Sequence, residues 1–128
     1  LKRKAFTVSM ANVENVVACD YVGIVSGNKD PEKFKKSGFT AVKSDFVDAP
    51  LIDELPIALE CELISYDEKT CRLVGKIVNL SVDEKVLDKD GNVDVKKAKP
   101  ITYDPFNHNY VALGEIVGKA FSDGAKLK

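Results

Sequence analysis

The sequence predicts a mainly β domain with short helices, built as an antiparallel barrel. Residues Ile57–Ser65 and Arg72–Val82 are its two longest strand signals, rich in Val, Ile and Leu, with charges spaced to leave one face apolar. The polar stretch Tyr66–Thr70 between them is turn-forming, so the two strands should pair as an antiparallel hairpin. No regular crossover helices separate the strand signals, which argues against a doubly wound parallel sheet.

The chain begins with a strand and a short helix. Phe6, Val8 and Met10 alternate with smaller or polar residues, which is the period-two pattern of a half-buried strand. Asn12 then precedes apolar residues at helical spacing, and an asparagine at this place is a typical N-cap. We therefore expect a short helix that runs to about Tyr21.

The second helix has the clearest end signals in the chain. Asp30 is a candidate N-cap, Pro31 suits the first helical position, and Gly38 suits the position after the last turn. The stretch 39–55 is punctuated by Pro and Asp and is mostly connection, with room for a short strand such as Thr40–Val42.

The last third of the chain carries weaker signals. Residues Asp83–Pro100 are charged and loop-like, with room for one helical turn. Ile101–Tyr103 and Tyr110–Leu113 are short strand candidates. Together with the long hairpin they favour one antiparallel β domain over residues 1–128.

Composition excludes several classes of protein. A chain of 128 residues corresponds to about one domain. Its 19 Lys and Arg against 20 Asp and Glu are interspersed, so no basic face for nucleic acid is expected. No apolar run has the length needed to span a bilayer. Cys19, Cys61 and Cys71 lack Cys-x-x-Cys spacing and are interpreted as buried, reduced thiols, which favours a soluble cytoplasmic protein.

One segment resembles a calcium loop in part. Asp88, Asp90 and Asn92 have the oxygen-ligand spacing of an EF-hand. The glycine required at the sixth position is Val93, however, and the glutamate required at the twelfth is Lys99. An ordinary turn is the better interpretation, and no metal site is expected.

Common catalytic and nucleotide motifs are missing from the sequence. His108 is the only histidine, no Gly-x-Ser-x-Gly motif accompanies it, and we expect it to be a loop residue. Neither Gly-x-Gly-x-x-Gly nor a P-loop pattern occurs, so a nucleotide would have to be held in another way. We therefore expect no catalytic acid–base triad.

An ordered series of blocks resembles the flavin reductase-like, or flavoredoxin-type, family. The series covers essentially the whole chain, and no single block in it is decisive. The blocks are Arg3–Val8, Asp20–Gly27, Lys33–Phe34, Thr40–Ser44, Asp48–Ile52, Ala58–Cys61, Gly75–Val78, Pro100–Pro105 and Leu113–Phe121.

The resemblance implies a homodimeric, six-stranded FMN-binding split β-barrel with the flavin near the subunit interface. It implies NAD(P)H-dependent flavin reduction or flavin-mediated electron transfer. A non-enzymatic FMN-binding electron carrier is the alternative, in which another protein reduces the flavin. A third alternative is a fragment that keeps the fold and binds no flavin.

The resemblance also implies positions for cofactor-binding residues. Lys33 corresponds to a lysine that approaches the flavin, and Tyr103 to an aromatic residue packed near it. Without the resemblance, Lys33 would be interpreted as a solvated helix lysine and Tyr103 as a core aromatic. Thr70 stands where members often carry histidine, and Ser9 begins a Ser-Met-Ala run where members carry Asn-Ile-Pro. A hydroxyl at either position can still hydrogen-bond to flavin or phosphate.

The family's N-terminal region supplies the first barrel strands and a helix with a Ser-x-Arg-x-Thr-like phosphate cradle. This sequence begins where that helix would end, so we expect it to be the C-terminal majority of the family's domain. With too few strands to close a barrel alone, it would leave a sheet edge open unless another segment covers it.

Overall fold

The computed structural model describes residues 3–127, which fold mainly into β-strands with three short α-helices. The strands are β1 (Ala5–Ser9), β2 (Ala41–Lys43), β3 (Pro50–Ile52), β4 (Ile57–Asp67), β5 (Arg72–Val82), β6 (Ile101–Asp104) and β7 (Asn109–Ala112). The α-helices are α1 (Val16–Ile24), α2 (Lys33–Ser37) and α3 (Val95–Ala98). Short 3-10 turns cover Val13–Asn15, Glu84–Val86 and Asp123–Leu127.

The described strands form three separate sheets. A three-stranded sheet has the order β1-β4-β5, and two hairpins pair β2 with β3 and β6 with β7. Every pairing is antiparallel, as predicted, and no sheet closes on itself. This open antiparallel arrangement agrees with a split barrel. No helix within residues 3–127 has both the length and the apolar character needed to cross a membrane.

The long hairpin predicted from the sequence is confirmed and extends beyond its predicted end. β4 and β5 pair from Ile57 opposite Val82 to Asp67 opposite Arg72. β4 runs two residues past Ser65 because the Asp67 carboxylate, rather than Tyr66, begins the turn by accepting a hydrogen bond from the Lys69 N–H at 2.9 Å. Register shifts between Glu60 and Cys61, and between Leu63 and Ser65, break the regular pairing in two places.

The cysteines do not share one environment, so the prediction that all three are buried is wrong. Cys61 is buried on β4, Cys19 is half-buried on α1, and Cys71 is exposed. Cys71 lies at the end of the hairpin turn with φ 55°. All three thiols are free.

The two predicted helices form with shifted ends. The Asn12 side chain accepts a hydrogen bond from the Asn15 N–H at 3.1 Å and caps a 3-10 turn, so α1 starts later and ends at Ile24, beyond Tyr21. α2 ends at Gly38, whose φ of +78° suits glycine, as predicted. It begins at Lys33 and not at Pro31, because Asp30 and Pro31 form a separate turn in which the Lys33 N–H donates to the Asp30 carbonyl at 3.1 Å.

The β6–β7 hairpin is attached to the segment that precedes α1. The Val13 N–H donates to the Lys99 carbonyl at 3.0 Å, and the Ile101 N–H donates to the Ala11 carbonyl at 3.3 Å. Farther along, the Tyr110 hydroxyl donates to Asp20 on α1 at 2.7 Å. These contacts fix the hairpin beside the helix.

One face of the three-stranded sheet is polar. Opposite residues in antiparallel strands place their side chains on the same face, and alternate residues along a strand share it. Thr7 is therefore on the same face as its partner Glu60, and Ser9 as its partner Ala58. The connection between β2 and β3 covers this face through Ser44, which hydrogen-bonds to Glu60.

Candidate functional site

A cavity of about 570 Å³ opens where the end of β1 meets α1, α2 and β3. Its size lies within the range of about 300–1,000 Å³ that is usual for small-molecule sites. Most of its wall is apolar, with a few polar groups: the lining residues are Ser9, Ala11, Cys19, Val22, Gly27, Asp30, Pro31, Lys33, Phe34, Phe39, Ile52 and Leu55. We call it the α1–α2 pocket.

Two of the four predicted cofactor-binding residues meet in this pocket. Ser9 is the last residue of β1 and Lys33 is the first residue of α2, and both are half-buried. Gly27 lies beside the lysine stem, since a Cβ added there would be 3.8 Å from Lys33 Cδ. Within residues 3–127 Lys33 forms no ion pair, so its ammonium group can bind an anion.

The carboxylate that lines the same pocket already has a cationic partner. Asp30 pairs with Lys36 at 2.8 Å and accepts a hydrogen bond from the Glu32 N–H at 3.0 Å. The hydrogen bond from Lys36 is the main reason why the pKa of Asp30 lies below its ordinary value. The unpaired positive charge at the pocket is therefore that of Lys33.

Cys19 adds a neutral, weakly polar group to the wall. Partial burial raises the pKa of its thiol above the usual value, because burial disfavours the thiolate. Cys19 therefore behaves as a small apolar residue in the pocket near neutral pH.

Tyr103 lies outside the α1–α2 pocket, on β6, with 51% of its surface exposed. The interpretation of Tyr103 as a core aromatic is therefore excluded. Its hydroxyl hydrogen-bonds to Nδ1 of His108 at 2.5 Å, and its ring lies 5.9 Å from that of Tyr110. His108 is in the exposed turn between β6 and β7, as predicted, with φ 58°.

Thr70 also lies outside the pocket, in the exposed turn between β4 and β5. A hydrogen bond from its side chain is the main reason why the pKa of Asp67 lies below the usual value. In this chain Thr70 therefore helps to close the hairpin turn. The structure brings Ser9 and Lys33 together and leaves Thr70 and Tyr103 at separate positions.

The candidate calcium loop forms a closed turn. Asp88 Oδ1 accepts hydrogen bonds from the N–H groups of Asp90 at 2.8 Å and Asn92 at 2.9 Å. Within the described part of the chain, no group of three or more His, Cys, Asp or Glu residues is arranged to hold a metal ion.

A second polar cluster lies under the β2–β3 connection and was not anticipated. Glu60 is fully buried and hydrogen-bonds to the hydroxyls of Ser44 and Ser81 and to Asn79 Nδ2, the last at 2.7 Å. Burial acts to raise the pKa of Glu60, but these three hydrogen bonds together outweigh it and hold the pKa below its usual value. The carboxylate is therefore ionised at neutral pH.

Sequence reasoning missed much of the pocket wall. Phe39, Ile52 and Leu55 belong to a stretch that was interpreted as connection, yet all three lie in the pocket wall, and Ile52 is the last residue of β3. The available signal was Leu51-Ile52, a short β-favouring pair after a proline. Its pairing with β2 is a long-range contact that local patterns do not reveal.

Comparison with known proteins identifies the family. The sequence model of the flavin reductase like domain matches residues 1–110. An uncharacterised protein of Aquifex aeolicus (strain VF5) is 31% identical over 106 residues, which are 79% of this chain and 52% of that protein. The chain spans about half the length of the curated relatives that it matches.

Two solved flavoredoxins have the same fold. That of Desulfovibrio vulgaris (Miyazaki F) is 40% identical with a TM-score of 0.87, and the match covers 96% of this chain and 66% of that one. That of Methanosarcina acetivorans is 27% identical with a TM-score of 0.86, covering 99% and 67%. Solved structures of lower identity, including one described as a split barrel domain, share the fold alone.

The family match covers most of the chain, and the fold match is close over nearly all of it. Both findings agree with the open antiparallel sheets described above. The chain therefore belongs to the family of flavin reductase-like domains, which links its function to flavin.

Proposed function

We propose that the protein binds FMN in the α1–α2 pocket, accepts a hydride from NADH or NADPH, and passes the electrons to free flavin or to a protein partner. The observation that carries this proposal is an apolar pocket of about 570 Å³ with one unpaired lysine, in a chain of this family. Residues 1–128 would form the C-terminal majority of the domain. The three free cysteines favour a cytoplasmic location.

The pocket residues fit part of a flavin well. The apolar side chains of Phe34, Phe39 and Leu55 suit the flat isoalloxazine ring. Lys33 can pair with the phosphate or with the negative charge of the reduced ring, and the Ser9 hydroxyl can donate or accept a hydrogen bond. One lysine is a small anion site for a phosphate, so the phosphate needs further donors beyond this wall.

The flavin, when bound, supplies the chemistry of hydride acceptance and onward electron transfer. The protein residues orient it and set the electrostatics around it. Lys33 stabilises negative charge in the pocket, and the apolar wall around Cys19 excludes water. No protein side chain has to act as an acid or a base in this scheme.

We further propose a homodimer in which each copy contributes to its partner's flavin site. Thr70 and Tyr103 are exposed and lie outside their own pocket, which is the arrangement expected of residues that act across an interface. The segment after β7 supports the dimer, because Ile116, Val117 and Phe121 are almost fully exposed. Apolar side chains on an extended segment favour burial against another surface.

A second candidate function is that of a non-enzymatic electron carrier. The two most similar solved structures reported above are flavoredoxins, and this resemblance favours a flavin reduced by a partner protein. A third candidate is a protein that keeps the fold and binds no flavin.

Anaerobic mixing of the FMN-loaded protein with NADH or NADPH distinguishes these functions. Rapid reduction of the bound flavin, with multiple turnovers when free FMN is added, is expected for the reductase. Slow reduction by both nicotinamides, with fast reduction by an electron-transfer protein, would identify the carrier. A folded protein that does not take up FMN would overturn both.

A further inference from the structure

Glu60 holds an unpaired negative charge inside the protein. Its side chain has 0% exposure, and all its partners are neutral: the Ser44 and Ser81 hydroxyls and the Asn79 amide. Within residues 3–127 it forms no ion pair with a lysine or arginine. A charge in such a place is screened much less by salt than a surface charge is.

The strand register places this charge close to the α1–α2 pocket. Glu60 is opposite Thr7, two residues before Ser9 on β1, and Ser9 lines the pocket. Residues two apart on a strand share a face and are separated by about 7 Å. The carboxylate therefore lies on the pocket's side of the sheet, roughly 10 Å from its wall.

The β2–β3 hairpin connects the two places physically. Its connecting loop is held over the sheet by Ser44, whose Oγ accepts hydrogen bonds from the N–H groups of Phe46 and Val47, each at 3.0 Å, and hydrogen-bonds to Glu60. Ile52 of the same hairpin lines the pocket. The same hairpin therefore contacts both Glu60 and the wall of the pocket.

We propose that Glu60 is an electrostatic tuning residue that opposes Lys33: it disfavours negative charge in the α1–α2 pocket and so weakens the binding of reduced flavin relative to oxidised flavin. The inference rests on the proposed flavin site and deepens it. Reduction adds negative charge to a bound flavin, and charges near the ring set its electronic properties. At an effective dielectric constant of about 20, a charge about 10 Å away changes such an equilibrium about tenfold.

The test compares Glu60→Gln with Glu62→Gln in the FMN-loaded protein. Both substitutions remove one negative charge from β4, but Glu62 is exposed and solvent screens it. Glutamine keeps an acceptor for Asn79 and Ser81, so the network survives in part. The measurement is the midpoint potential of bound flavin, by titration against a reference dye, with Kd values for oxidised and reduced FMN.

Glu60→Gln is expected to bind reduced FMN about tenfold more tightly relative to oxidised FMN, with a matching positive shift of the potential. This shift should persist at high salt, and Glu62→Gln should leave the potential unchanged. Equal potentials in the wild type and Glu60→Gln would overturn the inference. A wild-type protein that binds no FMN would instead overturn the proposed function.

A second variant decides the matter if Glu60→Gln does not fold. Thr7→Lys places an ammonium group opposite Glu60 on the partly exposed strand β1. It removes the hydrogen bond from the Thr7 hydroxyl to the Pro50 carbonyl but none of the hydrogen-bond partners of Glu60. An ammonium group that pairs with the Glu60 carboxylate offsets its negative charge, so the midpoint potential of the bound flavin should again shift to more positive values. No shift, or a negative shift, would contradict the role assigned to Glu60.

Discussion

Lys33 and Lys35 lie on the same short helix and differ in their surroundings. Lys33 is half-buried in the wall of the α1–α2 pocket, whereas the Lys35 side chain is 85% exposed and 3.5 Å from Glu32. A lysine of the first kind can bind an anion that the pocket holds. A lysine of the second kind contributes little beyond solubility.

Lys33→Met should weaken FMN binding about ten- to a hundredfold, because a hydrogen bond to a charged group contributes about 1.5–3 kcal/mol. Fluorescence quenching of FMN during titration with protein measures the Kd. The matched control is Lys35→Met, which removes the same charge from the same helix and should leave the Kd unchanged. Equal losses in both variants would show that only general electrostatic attraction is involved.

Glu54 provides a pH-dependent contribution to stability. Both of its carboxylate oxygens accept the Thr40 N–H, at 3.0 and 2.9 Å, and this bond is the main reason why the pKa of Glu54 lies below its usual value. A lowered pKa in the folded state means that the stabilisation is complete above the ordinary value of about 4.3 and is lost as the pH falls through the folded value.

Glu54→Gln should therefore lower the free energy of unfolding by about 1 kcal/mol at pH 7 and by much less at pH 3. Urea denaturation at the two pH values measures the difference. Glu68→Gln, a change in the exposed hairpin turn, is the control and should have little effect at either pH. An equal loss for Glu54→Gln at both pH values would exclude a contribution from the ionised carboxylate.

Individual side chains were predicted from the sequence only where a family position supported them. Ser9 and Lys33 were assigned in this way, and the structure places them in one pocket. Glu60 was missed because alternation on β4 predicts an exposed charged face, and only the tertiary cover by the β2–β3 connection buries it. Burial of a charge by a distant segment has no local sequence signal.

At the scale of elements, the β1–β4–β5 sheet depends on a close approach between strands. A Cβ added to Gly75 on β5 would lie 2.7 Å from Phe6 Cε1 and 3.1 Å from the Glu62 carbonyl oxygen. The Phe6 ring thus occupies the space that a side chain at position 75 would need. The absence of a side chain at Gly75 allows the aromatic ring to cover the strand.

Gly75→Ala should destabilise the protein by about 1–3 kcal/mol through this overlap. Thermal or urea unfolding measures the loss, and the double variant Gly75→Ala/Phe6→Leu should lose less than the sum of the single changes. Gly23→Ala on α1 is the control: nothing lies within 4 Å of its added methyl group, and it should stabilise the helix by about 0.5–1 kcal/mol. Additive losses in the double variant would contradict the proposed overlap.

Elements with strong local patterns were predicted well, and those that depend on distant partners were not. The β4–β5 hairpin has long apolar strands and a polar turn, so its position followed from the sequence. β3 has three residues and exists because β2 pairs with it. The start of α2 was misplaced because Asp30 and Pro31 form a turn before the helix, a pattern that is locally similar to a cap.

In the whole molecule, the exposed apolar segment after β7 is the candidate contact surface of a homodimer. Val117 is 99% exposed, and Ile116 is 82% exposed. If a second copy covers this segment, the protein should sediment with twice the mass of the 14.0-kDa chain. Sedimentation equilibrium over a range of concentrations measures this mass.

Val117→Asp should shift the monomer–dimer equilibrium toward the monomer, because it places a charge in the proposed apolar contact between the two copies. Lys119→Ser changes a residue of the same segment but removes no apolar side chain, and it should leave the dimer intact. A wild-type protein that sediments as a monomer at all concentrations would contradict the proposed dimer.

Binding of a flavin in the α1–α2 pocket is tested by titration of the purified 128-residue protein with FMN, followed by visible absorption and fluorescence. One FMN per chain should bind saturably, with a perturbed flavin band that bleaches on reduction, and Lys33→Met should bind FMN more weakly. A folded protein that leaves the spectrum of FMN unchanged at every concentration would show that the α1–α2 pocket does not bind flavin.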